Sequence, residues 1–332
     1  MILHPGILAL IAGSLIATAM MLYASALGVT ILRTWDIASS SPTQLALERK
    51  TYLISTIMNS VFGFEIFSAL LFVYTVDDMH RIFVGAMCAT GTLNANPVGW
   101  DVLYAKIVIF FVSSIWIGFN YVDQRADDYP LVRKKYAMLL LIAPLVALDA
   151  WLQVRYFTGL KPDVITSCCG SLFSESGSGI AAGMSSLPLK PAMALFYGTL
   201  ALFLVNALAA LRFRSPLVRY AMPLTSLLAF VAALTGVVSF VSSYYYELPT
   251  HHCPFCILQA EYGYVGYALY LTLLGGALSG MGTGVLMPFR NTESLRKVVP
   301  SVQRRLALAS VVLFLIFTAI VTARMVFSDF IL

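Results

Sequence analysis

Eight stretches of this chain are apolar and nearly free of charge over about 18 residues or more, and these constrain the fold more than any motif. Hydrocarbon offers no hydrogen bonds, so a segment crossing a bilayer must bond its own backbone, which favours a helix. The runs are approximately Ile7–Leu32, Thr51–Val76, Asp101–Tyr121, Tyr136–Phe157, Pro191–Leu211, Leu217–Val241, Tyr262–Met287 and Arg305–Phe327. Charged residues make up 11% of the 332, against about 25% in a soluble globular protein. The expected fold is therefore all-α: a polytopic membrane protein of about eight transmembrane helices, read as a single domain over residues 1–332. No Lys or Arg precedes the first run, so it is read as a first helix and not as a signal peptide.

The basic residues predict the orientation. Four alternate loops hold Arg33, Arg49 and Lys50; Arg125, Arg133, Lys134 and Lys135; Arg212, Arg214 and Arg219; and Arg290, Arg296, Lys297, Arg304 and Arg305. Those are 15 of 21. The positive-inside rule places them in the cytoplasm and both termini outside. The net charge of +5 is thereby accounted for by topology, and no nucleic acid partner is implied. The expected setting is a prokaryotic inner (plasma) membrane, with outer loops at about 77–100, 158–190 and 242–261.

On that topology all five cysteines and all four histidines fall on the outer side. Six residues concentrate them: His251-His252-Cys253-Pro254-Phe255-Cys256. A Cys-x-x-Cys pair can close a reactive disulfide or grip a soft metal, and both chemistries use the thiolate. Pro254 is suited to a first helical position, so Cys253 is expected at an N-cap and Cys256 on the first turn of helix 7. The helix dipole would then favour a thiolate, and Gln259 would lie one turn on, with Glu261 and Tyr264 completing a cofactor-facing entry. The 158–190 loop adds the vicinal pair Cys168-Cys169, and the 77–100 loop adds Cys88 and His80 beside Asp77 and Asp78. The middle of the 77–100 loop is too apolar for a solvated loop and is expected to be a short buried segment.

The Cys-x-x-Cys pair at the outer end of a spanning helix, with further cysteines in another outer loop, resembles the arrangement of the DsbB and vitamin K epoxide reductase families. Those families have four or five helices, so the resemblance is one of arrangement and does not cover the whole chain. It implies a membrane thiol–disulfide oxidoreductase in which a quinone exchanges electrons with Cys253 and Cys256. Cys168 or Cys169, with Cys88, would pass them to a soluble periplasmic thiol protein. The main alternative is an outer-face metal-handling protein binding zinc or copper through His251, His252, His80, Cys253 and Cys256. A further alternative is a non-catalytic membrane subunit or permease, associated with other membrane subunits, whose outer disulfides are structural. The histidines precede the cysteines, so covalent c-type haem is not expected.

Glu65, Lys106 and Asp149 fall well inside the apolar runs, away from their ends. Charge in hydrocarbon is costly and faces a partner or a cavity. Lys106 and Asp149 sit at similar depth and are expected to pair. Glu65 has no evident partner, and the three are candidates for a proton relay.

Overall fold

The computed structural model describes residues 2–161, 165–166, 180–213 and 215–330. Among these there are eight helices long and apolar enough to span a membrane: Pro5–Thr34, Pro42–Ile82, Gly99–Asp123, Val132–Gly159, Leu189–Arg212, Pro216–Tyr246, Val265–Phe289 and Val298–Phe327. The protein is an all-α polytopic integral membrane protein. Its surface fits lipid: α1 (Pro5–Thr34) exposes Leu15, Ile16 and Leu22, and α8 (Pro216–Gly236) exposes Leu217, Leu224 and Val231.

The helices group into two compact units. The first comprises Met1–Asp78, Leu93–Asp163 and Phe289–Val299. In it α1 packs on α2 (Pro42–Asp78) and on α5 (Val132–Gly159), and α4 (Gly99–Asp123) packs on both α2 and α5, which closes a four-helix ring. Its core holds Met21, Met58, Phe62, Trp116 and Tyr136, with the Phe62 and Trp116 rings 4.8 Å apart. The short helix α3 (Ala89–Asn94) lies between α2 and α4 in sequence, and its residues Ala89 to Leu93 are buried. That agrees with the apolar character of this loop.

The second unit comprises Met79–Thr92, Val164–Pro288 and Pro300–Leu332. After the short α6 (Ile180–Ser185), α7 (Leu189–Arg212) packs on α8, and α8 on α10 (Val265–Val285). The last helix, α11 (Val298–Phe327), joins them through Phe314, which meets Phe203 of α7 at 4.6 Å. Where α8 meets α10, a Cβ on Gly280 would overlap the Ser226 side chain, so glycine sets how closely the two backbones approach.

Past Gly236 the same span changes to a π-helical turn at Val237–Val241 and ends as α9 (Ser242–Tyr246). Such turns leave backbone carbonyls without their usual partners. Here the Ser242 hydroxyl donates to Val237 O at 2.7 Å, and His252 Nδ1 lies 3.1 Å from Val238 O.

Two sequence expectations need correcting. Lys135 is not a solvated loop cation. It sits on the first turn of α5, 1% exposed, 2.7 Å from Asp123 Oδ2 and 2.9 Å from Asn120 Oδ1. A basic residue at a helix end looks the same in sequence whether it faces water or a buried carboxylate. Glu65 does have a partner: its Oε2 lies 3.6 Å from Lys106 Nζ, which also pairs with Asp149 at 2.7 Å as expected.

Candidate metal centre

The Cys-x-x-Cys segment does not open a helix. Residues 251–253 are irregular, short 3-10 turns follow at Cys256–Leu258 and Ala260–Tyr262, and α10 starts only at Val265. The reason is a tyrosine. An α-helix begun here would join the Ile257 N–H to the Cys253 carbonyl. The Tyr246 hydroxyl takes both groups, donating to Cys253 O and accepting from Ile257 N at 2.9 Å. Tyr270 OH donates to the next carbonyl, Pro254 O, at 2.6 Å. The helix-dipole argument for a lowered thiol pKa therefore does not apply to Cys253 or Cys256. Glu247, at φ 55°, turns the chain out of α9, and Gly263 and Tyr264, at φ 61° and 55°, turn it into α10.

The Cys88 segment reaches the same place from a distant part of the sequence. Met79–Ile82 forms a 3-10 turn, and Gly85 follows at φ 85°. A Cβ on Gly85 would strike the Thr166 carbonyl, and Thr166 N–H donates to Val84 O at 3.0 Å, so only glycine allows this approach. Gln259 Nε2 donates to Met87 O at 2.6 Å and ties this segment to the Cys-x-x-Cys loop.

The result is a cluster of three cysteines, Cys88, Cys253 and Cys256, whose sulfurs all lie within 4.8 Å of one another. Their residues are 0%, 0% and 5% exposed. The Cys88 and Cys253 sulfurs are 3.5 Å apart, far beyond the roughly 2.05 Å of a disulfide. His251 Nε2 stands 3.4 Å from Cys256 Sγ, and Thr90 Oγ1 stands 3.3 Å from Cys253 Sγ.

The Cys88–Cys253 and His251–Cys256 spacings suit a tetrahedral ion. With Zn–S near 2.3 Å, neighbouring sulfurs sit about 3.8 Å apart, and with Zn–N near 2.05 Å a nitrogen and a sulfur sit about 3.5 Å apart. The three thiols could hold a metal ion; His251 stands beside the Cys256 sulfur but outside the mutually converging set. The buried Thr90 hydroxyl can donate to the Cys253 sulfur and favour its thiolate. Outside the spans, burial pushes the Tyr262 phenol above its ordinary pKa, with Cys256 and Glu261 adding to the shift. It stays neutral beside the site, and the Tyr246 ring meets both Tyr262, at 4.9 Å, and His251, at 4.5 Å.

The other sequence candidates are placed as follows. His252 points its Nδ1 at Val238 O and Ser243 Oγ, and because a carbonyl only accepts, that nitrogen carries the proton. His80 lies in the Met79–Ile82 turn, outside the converging set. Asp78 pairs with His4 at 3.2 Å. Gln259 acts on the Met87 carbonyl and does not follow Cys256 along a helix face, while Glu261 and Tyr264 are exposed. Cys168 and Cys169 lie outside the described residues. Sequence reasoning missed Thr90, Tyr246 and Tyr270 as supports of the site. The Tyr244-Tyr245-Tyr246 run was legible only as an interfacial anchor.

Comparison with protein-family models, with curated proteins and with solved structures returns no match.

Proposed function

We propose that this membrane protein binds one soft metal ion, zinc in the first place, through Cys88, Cys253 and Cys256, with His251 turning in from beside Cys256 as the fourth ligand. The convergence of three buried cysteine sulfurs carries this reading. A Cys3His set is one of the closed, four-ligand sites typical of structural zinc. Burial also supports it, because a sulfur that exchanges with a macromolecular thiol must be reachable. The basic-loop asymmetry supports placing the centre on the outer side of a prokaryotic inner membrane.

A second reading rests on the Cys88–Cys253 contact at 3.5 Å. Oxidation of that pair would give a disulfide, with two electrons and two protons passing to a membrane quinone, which would become a quinol. This is the oxidoreductase class suggested by resemblance, with Cys88 in place of Cys256 as the partner of Cys253.

Elemental analysis and X-ray absorption of the purified full chain separate the two. The metal reading expects about one zinc per chain with three sulfurs and one nitrogen around it. Copper bound by the same sulfurs would keep the site and change the ion. Metal-free protein whose Cys88 and Cys253 form a bond opened by mild reductant would replace the metal reading with the redox one.

A further inference from the structure

We propose that the Glu65–Lys106–Asp149 cluster of the first unit is a membrane-embedded proton-binding site, and that Glu65 carries the proton. This is a site separate from the thiol centre. The argument rests on charge and donors. All three residues are 0% exposed, and they bring one ammonium to two carboxyl groups. Fully ionised, the cluster would hold an uncompensated charge in the interior of a spanning bundle, which desolvation strongly disfavours. One proton makes it neutral.

The donors identify where that proton sits. Lys106 Nζ lies 2.7 Å from Asp149 Oδ2, 2.8 Å from Ser68 Oγ and 3.6 Å from Glu65 Oε2. Gln153 Nε2 spends its hydrogens on Asp149 Oδ2 at 2.7 Å and Ser14 Oγ at 2.8 Å. Asp149 thus receives two close donors and is the fixed anion. Glu65 receives only the distant edge of the ammonium and the Ser68 hydroxyl at 3.4 Å. That hydroxyl has a better acceptor in the Glu65 carbonyl at 2.9 Å. Glu65 Oε1, Asp149 Oδ1 and Gln153 Oε1 have no hydrogen-bond partner among the described residues. Three bare acceptors in one buried cluster call for one more hydrogen, and a protonated Glu65 supplies it. A metal cation does not fit the role, because the Lys106 ammonium already occupies the position between the carboxylates. The groups facing the cluster are Ser14 from α1, Ser68 from α2 and Gln153 from α5, none of which titrates near neutrality.

A second buried pair in the same unit is the built-in control. Lys135 and Asp123 are one to one, and Asp123 Oδ1 also accepts the Leu131 N–H at 2.7 Å. That pair is neutral when ionised and needs no proton.

The test is infrared spectroscopy of the full chain in a bilayer at neutral pH in D2O, read on the protonated-carboxyl band. One such carboxyl per chain is expected, moving when glutamate alone is 13C-labelled. Lys106→Met should raise it to two, Glu65→Gln should remove it, and Asp123→Asn should leave it unchanged. The unsubstituted protein decides by itself if variants misfold. Absence of the band, a band that moves only with labelled aspartate, or one displaced by sodium at fixed pH would each overturn the proposal.

Discussion

The two units bury opposite kinds of polar chemistry. Among the described residues, every buried Asp, Glu and Lys (Glu65, Lys106, Asp123, Lys135, Asp149) belongs to the first, and every cysteine belongs to the second. The second buries its remaining polarity in hydroxyls, Gln303 and His252. Hard charges in a low-dielectric interior need partners fixed in place, and the first unit provides them through side chains from adjacent helices. Thiols are small, apolar when protonated and tolerant of burial, so the second unit can gather three of them without an ion pair. The lesson is that the same bilayer problem has a charge-balanced answer and a soft-ligand answer within one chain.

That contrast can be broken by substitution. The largest effect should come from Lys135→Met, which leaves Asp123 buried without its counter-charge and should cost about 3–5 kcal/mol. Thermal unfolding in detergent measures it, and zinc stoichiometry should not change. A loss of zinc together with stability would show that the two chemistries are not independent. Next is Cys253→Ala. It removes the sulfur contacted by both Cys88 and Thr90, and should weaken zinc at least ~100-fold, beyond the ~10–100-fold loss typical of supporting groups. Competition with a chromophoric chelator reads this directly.

Thr90→Val keeps the shape and deletes the hydroxyl beside Cys253. The expected loss is about 10-fold in the same competition assay, with melting nearly unchanged. An unchanged affinity would remove Thr90 from the site. Smallest of all should be Glu247→Gln in the second unit. Its 2.7 Å pair with Arg324 is half-exposed, and such pairs contribute about 0–1 kcal/mol and fade with salt. A melting shift larger than that, at high ionic strength, would mean the second unit relies on charge after all.

Sequence and structure agree where the physics is local. Each span was legible because a run of about 18 apolar residues has few other fates. Lys106 pairing with Asp149 followed from depth alone. What was not legible depends on distant parts of the chain. Cys88 and Cys253 are 165 residues apart, and nothing in the spacing of either segment says that they touch. The Cys-Pro start of a helix failed because Tyr246 inserts its hydroxyl into the one backbone bond that would have begun it. Lys135 was misplaced because topology rules weigh basic residues by position and cannot see Asp123 across the α4–α5 turn. Glu65 lacked a visible partner because Lys106 lies on a different span, α4, and no sequence periodicity links it to α2.

The sequence distance between Cys88 and Cys253 also sets a clock. A ribosome adds about 5–20 residues per second, so those 165 residues take roughly 8–33 s to follow. For that interval a nascent chain carries Cys88 without the sulfurs that later enclose it. If its side of the membrane is the oxidising one, the thiol is vulnerable to capture by a passing disulfide before α10 is inserted. On the proposed metal reading, ion loading would belong to the last stage of biogenesis, and chains stalled before Cys253 should accumulate with Cys88 already modified.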